Sequence, residues 1–301
     1  MSALHRNGLS ASCVGTPPGG FASLLAFLVQ RFPTIGMAEW RARLARGDVL
    51  NAHGAAYAVD APYPPATKVY YFRSAIAERP IPFEHAVLYQ DAHIVVADKP
   101  HFLPVAPSGK YVRETLLVRL KTQLGIDMLA PAHRIDRDTA GLVLFTVQPA
   151  QRGAYQRLFA RRQVQKIYEA IAPLNTALQF PLTRHTHLAR HDAFMQAVEV
   201  PGAPNAHTVI ELMESRSGLG RYRLRPSTGQ RHQLRVHMNA LGMPIVNDQM
   251  YPALWPEVED DDAAWALRYA QPLQLLAKQL AFTDPVTGQQ RVFTSTRVLA
   301  F

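Results

Sequence analysis

Cysteine is almost missing from this chain of 301 residues; Cys13 is the only one. That excludes an internal disulfide framework and any multi-cysteine metal site. No apolar run is long enough to cross a membrane. The nearest candidate, Phe21 to Val29, is short and ends at Gln30-Arg31. The Pro17-Pro18-Gly19-Gly20 before it is a poor lead-in for a signal sequence. Acidic residues are in deficit: 23 Asp and Glu face 32 Lys and Arg, a formal net charge of +9. Most of the positive charge is arginine, whose planar fork suits phosphate oxygens and base faces. Such a balance suggests a nucleic-acid partner without establishing one. No repeat recurs at a fixed period. The expectation is a soluble cytoplasmic protein. Its length suits one large domain with a small one, or two ordinary ones.

Residues 1 to about 20, rich in Ser, Gly and Pro, read as a loose tail. From Phe21 the pattern turns helical, with Leu24, Leu25, Leu28 and Phe32 at helical spacing. A second helix is predicted from Gly36 or Met37 to Arg46, with Trp40 and Leu44 on one face and Arg41, Arg43 and Arg46 on or near the other. Val69 to Phe72 reads as a strand, and Arg79-Pro80-Ile81-Pro82 as a linker. Beyond it, strands are predicted at Ala86–Tyr89, Ile94–Ala97, Leu142–Val147, Val164–Ala172, Met195–Val200, Thr208–Met213 and Tyr222–Arg225. Helices are predicted at 115–124, 150–162 and 230–241. Leu273 to Phe301 reads as strand, turn, strand. Strands outnumber long helices and several neighbours are close enough for hairpins. The fold class is therefore α+β, built on a mixed, mostly antiparallel sheet.

The most informative stretch is His133-Arg134-Ile135-Asp136-Arg137-Asp138-Thr139-Ala140-Gly141, just ahead of the apolar Leu142-Val143-Leu144-Phe145. A charge cluster opening onto a buried strand is hard to explain as a solvated face, because an unpaired buried charge is costly. Asp136 is the candidate carboxylate. Asp138, two residues later, needs a separate explanation; the two together could form an acid/base pair or a metal site. The flanking Arg134 and Arg137 argue against a bound cation. A second segment, Lys166-Ile167-Tyr168-Glu169-Ala170, places Lys166, Tyr168 and Ala170 on one strand face. A third runs from Leu224 to His237. On a helix its Leu234, Met238 and Leu241 make a buried stripe, and Arg231 and Arg235 lie one turn apart on an adjoining face. Arg235, beside the stripe, can reach inward to a carboxylate.

These three segments, in this order, resemble the signatures of the RluA-type RNA pseudouridine synthases: His-Arg-Leu-Asp-x-x-Thr-Ser-Gly, Lys-x-Tyr-x-Ala and Thr-Gly-Arg-x-His-Gln-Leu-Arg-x-His. Leu241-Gly242-Met243-Pro244-Ile245 and Asp248-x-x-Tyr251 continue the likeness, which runs from about Ala86 to Phe301. The resemblance implies a cofactor-free isomerase that flips a uridine out of structured RNA, ribosomal or transfer. It implies Asp136 as the catalytic residue, Arg235 as its ion partner and Tyr168 as the wall stacked on the extruded base, with a role for its hydroxyl in proton transfer. Arg134 would fill the gap left in the RNA. Lys99, Arg157 and Arg161 are candidate phosphate contacts, and Lys166 and Arg231 further RNA-binding residues. Ala140 replaces the usual Ser, Gln230 stands where Arg is common, and Leu276 takes a position often filled by His. Residues 21 to 73 loosely resemble the alpha-L RNA-binding module. The implied organisation is a tail over 1–20, a small α/β RNA-binding module over 21–75, a linker over 76–85 and a catalytic domain over 86–301. No protein partner is implied, and a monomer is expected.

Two other readings compete. His185, His187 and His191 cluster with Asp192, and His187 and His191 would share a helix face, a geometry used by zinc sites. A metal-dependent hydrolase acting on nucleic acid would follow, but no His-Glu-x-x-His is present. A non-catalytic RNA-binding protein would not need Asp136, Tyr168 and Arg235 to occur together.

Overall fold

The computed structural model describes residues 4–6, 8–73, 78–109, 111–191, 196–258 and 261–301. It divides into two compact units, Met1–Pro80 with Ala106–Asp127, and Ile81–Val105 with Met128–Phe301. Among the described residues no helix is long and apolar enough to cross a membrane.

The first unit begins with a two-stranded ribbon, β1 (His5–Arg6) and β2 (Leu9–Ser10). A three-stranded sheet follows in the order β3 (Ser12–Gly15), β5 (Lys68–Tyr71), β4 (Val49–Leu50). Two helices cover it. In α1 (Leu24–Arg31) the Ser23 hydroxyl accepts from the Ala26 N–H at 3.1 Å, an N-cap that starts the helix, and Leu24, Leu25, Phe27 and Leu28 are buried. In α2 (Met37–Ala45) Trp40 and Leu44 join the same core. The stretch expected as a loose tail is thus structured in part: Val14 of β3 is buried opposite Val69 of β5. Its Ser and Gly content hid a strand too short to show a pattern. Arg43 also departs from the expected exposed face. It is buried, lies 4.8 Å over the Trp40 ring and bonds Glu39 at 2.8 Å. Helix α3 (Leu116–Leu124), capped by Thr115 and closed by Gly125 at φ 68°, belongs to this unit. Its Val118, with Val112, packs against Leu9, Leu50 and Phe72. Residues 106–127 therefore sit with the N-terminal segment, not with the rest of the expected catalytic domain. Residues 74 and 75, the end of the expected module, lie outside the described residues.

The second unit is built on an 11-stranded sheet. Its main path contains β12 (Ala197–Val200), β11 (Leu182–Arg190), β13 (Ala206–Arg216), β14 (Leu219–Pro226), β10 (Gln165–Pro173), β15 (Leu275–Thr283), β9 (Ala140–Thr146), β7 (Ile94–Lys99) and β6 (Ala86–Gln90), in that order. Strand β16 (Gln290–Thr294) pairs with β15, and β8 (Ala130–Pro131) with β9. Among the described residues, all pairings are antiparallel except β15 with β9. The sheet is mixed and mostly antiparallel, as the pattern predicts. Every residue of β9 and β7 is buried, which explains the apolar runs Leu142–Phe145 and Ile94–Ala97 within them and marks them as central strands. Three helices accompany the sheet: α4 (Arg152–Ala160), α5 (Gln233–Ala240) and α6 (Asp262–Tyr269).

Two elements differ from expectation. Leu182–Arg190 is a strand held between β12 and β13, so no helix face brings His187 and His191 together. Its polar residues alternate between the faces of a half-exposed strand, a pattern the loop-like Pro181-Leu182-Thr183 masks. Asp192 and Met195 lie outside the described residues. Helix α6 has no buried residue, hence no apolar stripe to announce it.

Candidate active site

The signature loop enters the sheet at Gly141. There φ is +108°, and a Cβ would lie 2.3 Å from the Ala277 carbonyl oxygen, so only glycine lets β9 approach β15 at that register. Above this point the loop is pinned from several sides. His133 is stacked on Phe159 at 4.3 Å, and its Nε2 accepts the Leu144 N–H at 3.1 Å. Burial, with the nearby Lys166 charge, pushes its pKa down to about 3, so the ring is neutral. Asp138 is buried and accepts from Arg137 Nε at 2.8 Å. Burial alone would raise its pKa, but the surrounding cations, Arg137 first and then Arg235 and Lys99, together outweigh that and the carboxyl titrates below its usual range. Asp138 is thus a structural anchor.

Asp136 lines a cleft of about 100 Å³. Arg134, Lys166, Tyr168 and Arg235 line the same cleft, so the structure brings the three sequence segments together. Tyr168 lies where the pairing of β10 with β15 shifts register between Ile167 and Tyr168, an irregularity of the kind that re-aims a side chain. Burial, then the Asp136 charge, raise the Tyr168 pKa well above that of a free phenol, so its hydroxyl stays protonated.

Arg235 sits in α5, whose first six residues are all buried. The turn before it is fixed by the Gln233 amide. Gln233 Oε1 accepts from Thr228 Oγ1 at 2.8 Å and from the Gln230 N–H at 3.0 Å; its Nε2 donates to the His207 carbonyl and to Thr208 Oγ1, both at 2.9 Å. Arg235 is 1% exposed and bonds two carboxylates. It donates to Asp248 at 2.7 and 2.5 Å, and reaches Asp136 Oδ2 at 3.4 Å. Sequence reasoning found the Arg235–Asp136 pair and missed Asp248, though Asp248-x-x-Tyr251 was visible. It also missed His232, whose Nε2 is 4.0 Å from Asp136 Oδ1.

The expected RNA contacts fall into two groups. Arg134, Arg157, Arg161 and Arg231 are exposed. Lys166 is half-buried, donates to the Thr228 carbonyl at 2.6 Å, and is brought down to about 8 by burial and by Arg162. Lys99 is a correction. It is fully buried and its ammonium donates to the carbonyls of Pro100, Leu103 and Arg137 at 2.7–2.9 Å, so it cannot meet a phosphate at the surface. A lysine at the end of a buried strand is indistinguishable in sequence from one at a surface turn.

Residues 93–240 match the family described as RNA pseudouridylate synthase. The dual-specificity RNA pseudouridine synthase RluA of Salmonella typhi is 31% identical over 212 residues, 69% of this chain and 90% of the relative. The chain belongs to the RluA-type RNA pseudouridine synthases. This makes it an isomerase acting on RNA. Another pseudouridine synthase, ribosomal large subunit pseudouridine synthase D of Yersinia pestis, is 33% identical over 225 residues, covering 71% of this chain and 67% of the relative. The fold agrees. Human RNA pseudouridylate synthase domain containing 1 superposes with a TM-score of 0.56 at 21% identity, over 71% of this chain and 84% of that one.

Proposed function

We propose that this pseudouridine synthase isomerises a uridine extruded from structured RNA, ribosomal or transfer, with Asp136 as the catalytic carboxylate and no cofactor. The observation that carries this reading is a graded chain of charge. Asp248 is fully buried, Arg235 is 1% exposed, and the Asp136 side chain is 30% exposed on the cleft. Asp136 is thus the accessible end of an otherwise sealed ion network. Burying such a network without using its exposed end would give little net stability. Tyr168 forms the wall for the flipped base. Arg134 fills the space the base leaves, stacking and donating through its planar guanidinium. Exposed Arg157, Arg161 and Arg231, with the remaining donors of Lys166, meet phosphates.

The enzyme works in this reading as a cytoplasmic monomer, and its N-terminal unit adds RNA contacts through Arg41. That arginine is exposed, whereas Arg43 is paired with Glu39 and Arg46 with Asp48. Replacing Arg41 with alanine should flatten the salt dependence of RNA binding. The decisive test uses ribosomal and transfer RNA transcripts incubated with purified wild type and Asp136→Asn, followed by pseudouridine mapping. New pseudouridine should appear with the wild type alone. Equal conversion by the variant would remove Asp136 from the chemistry, and no conversion of either RNA by the wild type would sink the substrate assignment.

A further inference from the structure

The end of α4 is closed by an arginine where glycine is usual. The Gln163 N–H donates to the Leu158 carbonyl at 2.8 Å and the Arg162 N–H to the Phe159 carbonyl at 3.1 Å. These two bonds make a Schellman cap, which puts the residue at the Arg162 position in the left-handed region. Arg162 has φ 58°. Glycine usually fills such a position, because a Cβ there is strained. The helix end does not need Arg162 for its charge either. Arg157 in the last turn and Arg161 at the cap already complement the dipole.

Arg162 also faces a like charge. Lys166, near the start of β10, lines the cleft with Asp136 and Tyr168. Burial, then the Arg162 guanidinium, disfavour the charged form of its ammonium. Among the described residues neither cation forms an ion pair with a carboxylate. Elsewhere on the sheet the chain does supply one: Arg184 pairs with Glu199, Arg221 with Glu214 and Arg225 with Glu211. The Lys166 ammonium has three N–H donors and gives one to the Thr228 carbonyl, at 2.6 Å, which leaves two.

Strain and repulsion thus fall on one arginine, and both are unfavourable in the protein alone. An anion shared by the two cations would remove the repulsion and engage both sets of donors. The pair is also fixed relative to the chemistry. Phe159, whose carbonyl the cap uses, is stacked on His133, three residues ahead of Asp136. A uridine with its base on Tyr168 and its sugar at Asp136 carries a phosphate on each side of that sugar, and Lys166 stands on the wall of the same cleft.

We propose that Arg162 and Lys166 jointly bind one backbone phosphate of the target uridine, on the 5′ or the 3′ side of its ribose. This rests on the uridine-isomerising function proposed above. The test uses Arg162→Gly, which gives the cap its usual residue, and RNA with a single neutral methylphosphonate on either side of the target. The thermal midpoint of the variant should hold or rise, while kcat/KM on unmodified RNA falls roughly 10- to 100-fold, the worth of a hydrogen bond to a charged group. In the wild type one of the two methylphosphonates should cost a similar factor, and the side affected identifies the phosphate. That cost should disappear in Arg162→Gly and in Lys166→Gln, where the contact is already lost. Wild-type turnover by Arg162→Gly would overturn the proposal, as would a wild type indifferent to both methylphosphonates. A methylphosphonate cost undiminished in either variant would overturn it too, because that cation then acts elsewhere on the RNA. Should Arg162→Gly fail to fold, Arg162→Asn, also suited to a left-handed cap, takes its place. Failure of the wild type to convert unmodified RNA would instead strike at the function itself.

Discussion

Arg235 bonds Asp248 more tightly than it bonds Asp136: 2.7 and 2.5 Å against 3.4 Å. Asp248 also accepts from the N–H groups of Met250 and Tyr251, so it ties the 248–251 turn to α5. It is the anchor of the site, and Arg235 transmits its position to Asp136.

Replacing Asp248 with Asn should therefore destabilise the protein. One partner of a buried pair is removed while the arginine charge stays, a change that costs about 3–5 kcal/mol. Denaturant titration reads the loss, and turnover measured well below the new midpoint should fall as Arg235 shifts. A midpoint unchanged from the wild type would show that Asp136 alone suffices to hold Arg235.

Lys99→Met separates structure from RNA contact. Three carbonyl groups lose their donor, so stability should drop by a few kcal/mol, at about 1–3 kcal/mol for each buried group left unsatisfied. RNA affinity and its salt slope, measured on folded protein, should not change, because Lys99 is out of reach of phosphates. A reduced salt slope would return Lys99 to the RNA surface.

At Tyr168 the ring and the hydroxyl can be told apart. Tyr168→Phe keeps the stacking face and removes only the hydroxyl. Tyr168→Ala should lose far more, on the order of the 1–3 kcal/mol that base stacking supplies. Equal losses in both variants, read as kcat/KM on one RNA, would mean that the hydroxyl matters more than the face.

Buried histidines make a pH-dependent contribution to stability. Burial lowers His133 to about 3 and His101 and His237 to about 4, against a usual 6.5. The unfolded chain binds these protons more readily, so the stability they add is full above pH 6.5 and is lost as pH falls toward the folded values. The slope is about 1.4 kcal/mol per pH unit for each histidine. Thermal midpoints should be flat on this account from pH 8 to 7 and fall between pH 6 and 4. The slope should ease in a variant with His237 replaced. A flat midpoint down to pH 4 would contradict the buried neutral assignment.

Much of this site was legible in the sequence because it is carried by local patterns. The charged run ahead of an apolar strand, the alternation at Lys166 to Ala170 and the helical spacing around Leu234 each announce themselves within a few residues. What stayed hidden depends on burial or on partners far along the chain. Lys99 looks like any turn lysine until three carbonyls surround it, and Arg43 looks solvent-facing until Trp40 and Glu39 cover it. Asp248 and His232 were visible as letters in matched segments, but their places in the site come from distances of a few ångströms across the fold. Strand β11 and helix α6 expose too much of their surface for apolar periodicity to reveal them.

The strand order has a consequence for timing. Strands β9 and β10 follow each other in sequence, yet β15, near the C-terminal end, lies between them in the sheet. Asp136 stands just before β9, and Tyr168 lies on β10. During synthesis the two walls of the cleft can be made but not joined until residues 275–283 have left the ribosome. A nascent chain of this basic protein, surrounded by RNA, therefore has no assembled site until β15 has emerged.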